Sequence, residues 1–368
     1  MRNNLKEKIK KLNLILEVSK EINSTLNLSE LLQIIMRLTK TQLSAEASSL
    51  MLLNEEENFL SFEVALGEKG DEVKRFTVRV GEGVAGEVAS TGKPIIVNDV
   101  EKDPRFSPKL DSLTKFKTRS IICVPLKYKD KIIGVIEVIN KINYQNFSKE
   151  DLEILQAIAN QAAITIENAR LYEELKKLLF SIVESLASAI DAKDPYTHGH
   201  SKRVASMSVL IAKELEFDED RIEKIRLAGL LHDIGKIGIK DTILNKKERL
   251  SDEEYDEIKN HPEIGKKILE PIDLLSEVIE GIAEHHEHYD GSGYPHGLKG
   301  ENISILARII SIADAFDAMT SERPYRGKMT IEKAIEEIEK NSGKQFDPLV
   351  VSALLSLYKK GKLLCFGS

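Results

Sequence analysis

The chain has 368 residues, 42% apolar and 31% charged, which allows two cored domains and excludes a disordered composition. Sixty acidic against 53 basic side chains leave a net charge of −7, which argues against a basic face for long nucleic acid but allows a small anion held by local cations. Two cysteines far apart in sequence, Cys123 and Cys365, rule out a disulfide framework or a cysteine zinc site and point to a reducing compartment.

The N-terminal segment MRNNLKEKIKKLNLILEVSKEI is charged and periodic, with no apolar signal-peptide core. Its Leu5, Ile9, Leu12, Leu16 and Ile22 predict an amphipathic helix over residues 1–27, and a second helix follows over 29–43. No apolar stretch is long enough to span a bilayer, so the expectation is a cytoplasmic protein without membrane insertion. From residue 48 the period changes. SSLMLL, FLSFEVAL, RFTVRV, PIIV, RSIICVPL and KIIGVIEVI read as strands separated by turn residues, with a helix at GVAGEVASTG. This is an α+β domain with a mostly antiparallel sheet over 28–168, in which Cys123 reads as inert core.

Ser148 with Asp151 forms a candidate capping box opening a long helix. Its apolar positions Leu155, Ile158, Ala162, Ile166, Ala169, Leu175, Leu178, Ile182 and Leu186 recur in steps of three and four. Such a run can pack against a second copy of itself, and residues 148–192 are read as a connecting helix that also makes a homodimer, the part beyond about Leu175 reading as a plain core helix of the second domain. The remainder, 178–368, is almost wholly helical, with predicted helices at 178–193, 198–215, 218–232, 251–259, 261–269, 271–285, 303–320, 330–340 and 347–359.

All eight histidines lie beyond residue 197, most of them beside Asp or Glu. Imidazole and carboxylate together are the mixed ligand set of Zn, Mn and Fe. In His232-Asp233-Ile234-Gly235-Lys236 the histidine can hold one metal while the carboxylate reaches a second. Lys236, four residues on, is placed on the same helical face to meet a phosphate oxygen. The plainer alternative is a helix C-terminus capped by a histidine and a lysine. His285-His286-Glu287 opens a Gly-rich, Pro-stopped loop suited to a metal site at a substrate mouth. Asp314 and Asp317 share a helical face, and Arg323, Tyr325 and Arg326 follow with the chemistry for phosphate and guanine contacts.

The segments DPYTHGHSKRVA, HDIGK, HHEHYDGSGYP, ADAFDAMTSERPYR and GKQFDP, in that order, resemble the HD-GYP family of the HD phosphohydrolase superfamily over about 178–365. The resemblance implies a metal-dependent phosphodiesterase that cleaves cyclic di-GMP to pGpG and onward to GMP in some members. It implies His200, His232, Asp233, His261, His285, His286 and Asp314 as metal ligands, Asp233 as the bridge between metals and Lys236 as the phosphate contact. It further implies Arg323, Tyr325 and Arg326 as substrate contacts, with Glu287, Tyr289 and Asp290 stabilising the loop. His198, His288 and His296 fall off the ligand positions. Three-metal members carry a glutamate where this chain has Tyr196, so two divalent metals are expected, with Asp191 or Asp194 as the only rescue of a third site. Fe or Mn suits the donor set, with Ni, Co and Zn as competitors. Alternatives on the same metal core are hydrolysis of another cyclic dinucleotide such as cyclic GMP-AMP, or a non-hydrolytic cyclic di-GMP receptor.

The run from Asn98-Asp99 through Asp103-Pro104-Arg105-Phe106 and Ser120–Leu126 to Gly134–Lys141 resembles a GAF domain. That resemblance implies a sensor for an unknown small ligand. Asn140, Lys141, Phe147 and Asp151 match most of a cyclic-nucleotide motif, with Leu152 departing from it.

Overall fold

In β-type runs such as Ile121–Leu126 every residue is apolar or Pro, so both faces of the strand must be covered. The computed structural model covers both. It describes residues 27–54, 56–193, 199–246, 248–272, 275–321 and 328–363, in two units, Met1–Lys176 and Lys177–Ser368. The predicted helix over 1–27 falls almost entirely outside the described residues, and Cys365 lies outside them too.

In the first unit, helix α1 (Leu28–Leu43) is capped by the Asn27 side chain, which accepts from Glu30 N–H. Strands β1 (Ala45–Asn54), β2 (Phe59–Leu66) and β3 (Thr77–Arg79) precede helix α2 (Gly83–Thr91); β4 (Ile95–Val97), β5 (Ile121–Tyr128) and β6 (Lys131–Lys141) follow it. All pairings are antiparallel, in the order β3-β2-β1-β6-β5-β4. Alternation assigns the side chains. Leu50, Ile122, Val124, Ile136 and Val138 pack on the face carrying Leu31, Ile35 and Leu155, while Met51, Ile121, Cys123 and Val135 join Val84 and Val88 of α2 on the other.

Helix α3 (Lys149–Lys193) runs unbroken for 45 residues. Ser148 and Asp151 cap its start reciprocally. Its apolar stripe is divided, and the part beyond Leu175 joins the second unit's core as the sequence reading allowed. Leu155, Ile158, Ala162, Ile166 and Ala169 are spent on the core of the first unit, and Val183, Ala187 and Ile190 on the core of the second. Leu171, Leu175, Leu178, Ile182 and Leu186 stay 48–64% exposed.

The second unit is helical: α4 (His200–Glu214), α5 (Glu219–Leu231), α6 (Asp252–Lys259), α7 (His261–Leu269), α8 (Ser276–Ala283), α9 (Ile305–Thr320), α10 (Ile331–Lys340) and α11 (Pro348–Lys359). Ser251 and Glu254 cap α6 as a capping box. Helix α9, with Leu306, Ile309, Ile310, Ala313 and Phe316 buried, is the apolar axis against which α4, α5 and α8 pack. Apolar burial drives that packing and places the histidine-bearing ends of the helices together.

Candidate metal centre

Five histidines and two aspartates converge in the second unit. His200 opens α4, His232 follows the last residue of α5, His261 opens α7, His285 and His286 follow α8, and Asp314 lies on α9. Neighbouring imidazole rings are 4.0–5.3 Å apart between centroids. His261, His285 and His286 bring three ligand atoms within metal-binding reach of one another. So do His200, His232 and Asp314, and a third overlapping set is His232, Asp233 and His285.

The backbone orients the rings. Nδ1 of His232 lies 2.9 Å from Gly229 O, Nδ1 of His261 2.8 Å from Ile258 O, and Nδ1 of His285 2.7 Å from Ile282 O. A carbonyl can only accept, so Nδ1 carries the proton in each ring and Nε2 presents a lone pair. These acceptors are late carbonyls of helices, the groups that lack a full set of intrahelical partners. His200 follows the same rule with a carboxylate: Nδ1 donates to Asp317 at 2.7 Å, and Arg203 holds Asp317 with contacts of 2.6 and 3.0 Å. The residue pairs His200/Arg203 and Asp314/Asp317 thus match across α4 and α9 at the same i, i+3 spacing. Asp317 and Arg203 were not among the sequence-derived ligands. That matched spacing is the signal that would have found them.

Asp233 sits at the centre. Its Oδ1 is 3.4 Å from His261 Nε2, and its Oδ2 is 3.5 Å from His232 Nε2, 4.0 Å from His200 Nε2 and 2.7 Å from Lys236 Nζ. Burial opposes ionisation of Asp233, but Lys236 and the surrounding histidines outweigh it and hold the carboxyl well below the usual range. Burial pushes His285 well below its ordinary value and His286 down to about 4, leaving neutral rings of the kind metals bind. For His200 burial is overcome by hydrogen bonds to Asp314 and Asp317, and its value rises to about 10. The carboxylates thus draw positive charge to the spot, a demand that a divalent cation also meets.

The residues fit such a cation on a separate observation. His232 Nε2 is buried with no hydrogen-bond partner, a cost of about 1–3 kcal/mol that a ligand bond removes. The described His/Asp clusters can therefore hold divalent metal.

Lys236 departs from its sequence reading. Helix α5 ends at Leu231 and residues Ile234–Gly238 form a 3₁₀ turn. Lys236 therefore does not share an α-helical face with His232 but folds back on Asp233. Gly235 is needed in this turn: a Cβ there would lie 1.8 Å from His261 O. Lys193, at the end of α3, donates to the carbonyls of Lys236, Ile237 and Ile239 at 3.1, 2.9 and 2.7 Å. Asp191 accepts from Ser201 Oγ at 2.7 Å beside His200, so its carboxylate is engaged in a structural contact.

The loop after His286 is built on Glu287, whose buried carboxylate accepts from the N–H groups of His296, Gly297 and Leu298 at 2.6–3.1 Å. Tyr289 and Asp290 N–H groups donate to Gln345 O and Lys344 O, tying in the GKQFDP segment. The Tyr294 ring is thereby stacked on His286, centroids 4.8 Å apart. His288 contacts Ser292 and His296 contacts Glu263, both away from the cluster. The candidate residues Arg323, Tyr325 and Arg326, together with Asp194, Tyr196 and His198, lie outside the described residues.

Residues 184–350 match the HD domain family and residues 27–166 the GAF domain family. The chain carries a GAF domain followed by an HD domain. It is 43% identical over 191 residues to a cyclic di-GMP phosphodiesterase of Thermotoga maritima, covering 51% of this chain and 52% of that protein. It is 43% identical over 174 residues to the 3'3'-cGAMP-specific phosphodiesterase 3 of Vibrio cholerae, covering 47% and 38%. A cyclic di-GMP phosphodiesterase of Pseudomonas aeruginosa is 36% identical over 210 residues, covering 55% and 50%. The chain thus spans about half the length, or less, of these curated relatives.

The metal fit has a direct test. Adding Mn²⁺ or Fe²⁺ anaerobically to chelator-treated protein at about 100 times Kd is expected to stabilise the HD domain by about 2.7 kcal/mol, a rise of several degrees in calorimetry. His261→Ala is expected to abolish most of that rise. An unchanged melting curve with metal would refute the assignment.

Proposed function

We propose that this chain is a metal-dependent phosphodiesterase that hydrolyses cyclic di-GMP to pGpG. The observation that carries this reading is Asp233, an ionised carboxylate set between the ligand atoms of two histidine groups and paired with a lysine. His261, His285 and His286 would hold one metal and His200, His232 and Asp314 another, with Asp233 able to reach both. Divalent ions in such a set supply Lewis-acid stabilisation of a phosphodiester and of the nucleophile attacking it.

The protein's own groups do the rest. The Nδ1 contacts hold the rings of His200, His232, His261 and His285 each in one tautomer. Asp317 and Arg203 orient His200 through its outer nitrogen. Lys236, 16% exposed, can exchange part of its contact with Asp233 for a phosphate oxygen and neutralise charge that develops there. Arg323, Tyr325 and Arg326 are proposed to grip the phosphates and bases. Fe or Mn is favoured, and Tyr196 in place of a carboxylate favours two ions over three.

A second substrate, cyclic GMP-AMP, has a specific basis, since identity to the cGAMP-specific relative equals that to a cyclic di-GMP relative. The assay therefore offers both dinucleotides to anaerobically purified protein, with metal counted on the same sample and products separated by chromatography. Cleavage of cyclic di-GMP to pGpG, abolished in His232→Ala/Asp233→Ala, is expected at about two metals per chain. Three metals would overturn the Tyr196 reasoning. Preferred cleavage of cyclic GMP-AMP would replace the substrate, and binding without turnover in metal-loaded protein would make the chain a receptor.

The GAF domain is proposed to regulate the reaction through α3, whose last turn holds the Lys236 turn by Lys193 and the start of α4 by Asp191. Lys193→Met is expected to lower kcat about tenfold or more, since small misplacement of a reacting group has a large rate effect, with metal content unchanged. Wild-type kcat in that variant would exclude Lys193 from such a link.

The exposed Leu171, Leu175, Leu178, Ile182 and Leu186, spaced by four, three, four and four, suit a coiled coil with a second copy. Sedimentation equilibrium is expected to show a dimer for the wild type and a monomer for Leu178→Glu/Ile182→Glu. A monomeric wild type would discard the pairing.

A further inference from the structure

A cavity of about 330 Å³ lies in the GAF domain between the α2 face of the sheet and the segments around residues 70–76 and 106–118. Met51, Phe62, Val84, Phe106, Ile121 and Ile139 give it apolar walls. Two polar groups break that lining. Ser49 of β1 and Glu137 of β6 are direct cross-strand partners, so they point to the same face. Ser49 is 5% exposed, and its Oγ has no hydrogen-bond partner. The Glu137 carboxylate has neither a hydrogen bond nor an ion pair among the described residues.

The charged groups nearby do not answer it. Lys69 is paired with Glu72 at 3.0 Å. Asp111 accepts from Thr118 N–H and Oγ1 at 2.7 and 2.6 Å, and adds only negative charge. Arg75 and Lys109 line the cavity as exposed residues. Burial, with a smaller push from Asp111, raises the Glu137 carboxyl to about 7. A carboxylate among apolar walls without a cation is unfavourable, and a bidentate charge-assisted pair is the strongest relief for it.

The residues that matched a cyclic-nucleotide motif are spent elsewhere. Asn140 accepts from the N–H groups of Arg119 and Ser120 and donates to Glu46 and Lys117 O. Lys141 pairs with Asp151 at 2.5 Å, and Phe147 is buried in the core on the other face of the sheet. None of them lines the cavity.

We propose that this cavity binds a small organic cation of the amine or amidine class, whose N–H groups donate to the Glu137 carboxylate and the Ser49 hydroxyl while its apolar body fills the space against α2. The carboxylate selects for positive charge, and the apolar walls select for a compact ring or short chain.

Three nearly isosteric probes separate charge from shape: benzamidine, benzamide and benzoate, titrated into the full chain by calorimetry. Benzamidine is expected to bind, benzamide more weakly and benzoate not at all. Glu137→Gln is expected to weaken benzamidine by about tenfold or more, the scale of a lost charge-assisted pair, and Ser49→Ala by less. Glu137→Gln keeps the side-chain shape and removes a charge set against apolar walls, so its melting point without probe is expected to match or exceed the wild type, which separates lost binding from lost folding. Equal affinity of benzamidine for wild type and Glu137→Gln would overturn the proposal. So would benzamide or benzoate binding as tightly as benzamidine, or no benzamidine binding at millimolar concentration. The titration needs no turnover at the HD domain, so its result is independent of the hydrolysis assay.

Discussion

The metal centre depends on one repeated interaction: an imidazole Nδ1–H given to a backbone carbonyl three residues earlier, at His232, His261 and His285. A helix end leaves carbonyls short of intrahelical partners, and a histidine placed just beyond it satisfies one of them. The same bond assigns the ring's proton to Nδ1 and turns Nε2 inward. Three helix ends thus cap themselves and present three ligand atoms in one stroke. The chemistry of the site is written into the way its helices stop.

Around that arrangement each further group has an electrostatic reason. Asp233 is the only carboxylate within about 3.5 Å of both His232 and His261 among the described residues, and it stays ionised because Lys236 and the rings outweigh its burial. Asp317 repeats for His200 what the backbone does for His232, His261 and His285; burial opposes its charge, but its hydrogen bonds to His200 and Arg203 hold the carboxyl below the usual range. The loop carrying Tyr294 is ordered by a single buried carboxylate, Glu287, serving three N–H groups. Among the described residues of the cluster, the buried Nε2 of His232 stands without a hydrogen-bond partner, which makes it informative.

The GAF domain shows the opposite arrangement. Its cavity keeps a carboxylate and a hydroxyl without partners inside apolar walls, while the conspicuous polar residues Asn140, Lys141 and Asp151 bond internally to hold the turns at the ends of β6 and α3. The polar residues that stand out in this part of the sequence are structural, and the two that face the cavity are inconspicuous members of apolar strands.

Much of this was legible from residue order. Alternating and continuous apolar runs determined the six strands and their two buried faces, and three-and-four spacing determined the helices. The clustering of every histidine after residue 197 pointed to the HD domain as the one with a metal-type donor set. The family resemblance implied His200, His232, Asp233, His261, His285, His286 and Asp314 as a ligand set, and the fold brings them to one place. What sequence could not decide were relations between elements. That α5 ends at Leu231, turning Lys236 back onto Asp233, depends on the close approach of Gly235 to His261 O, a contact between distant segments. The role of Asp317 depends on α4 lying beside α9. The division of the α3 stripe between two cores and an exposed strip depends on which neighbours pack against each turn, and the pairing of Ser49 with Glu137 depends on strand register. Local propensity and periodicity reside in the chain itself, whereas register, helix-end geometry and electrostatic partnership exist only once the elements have packed.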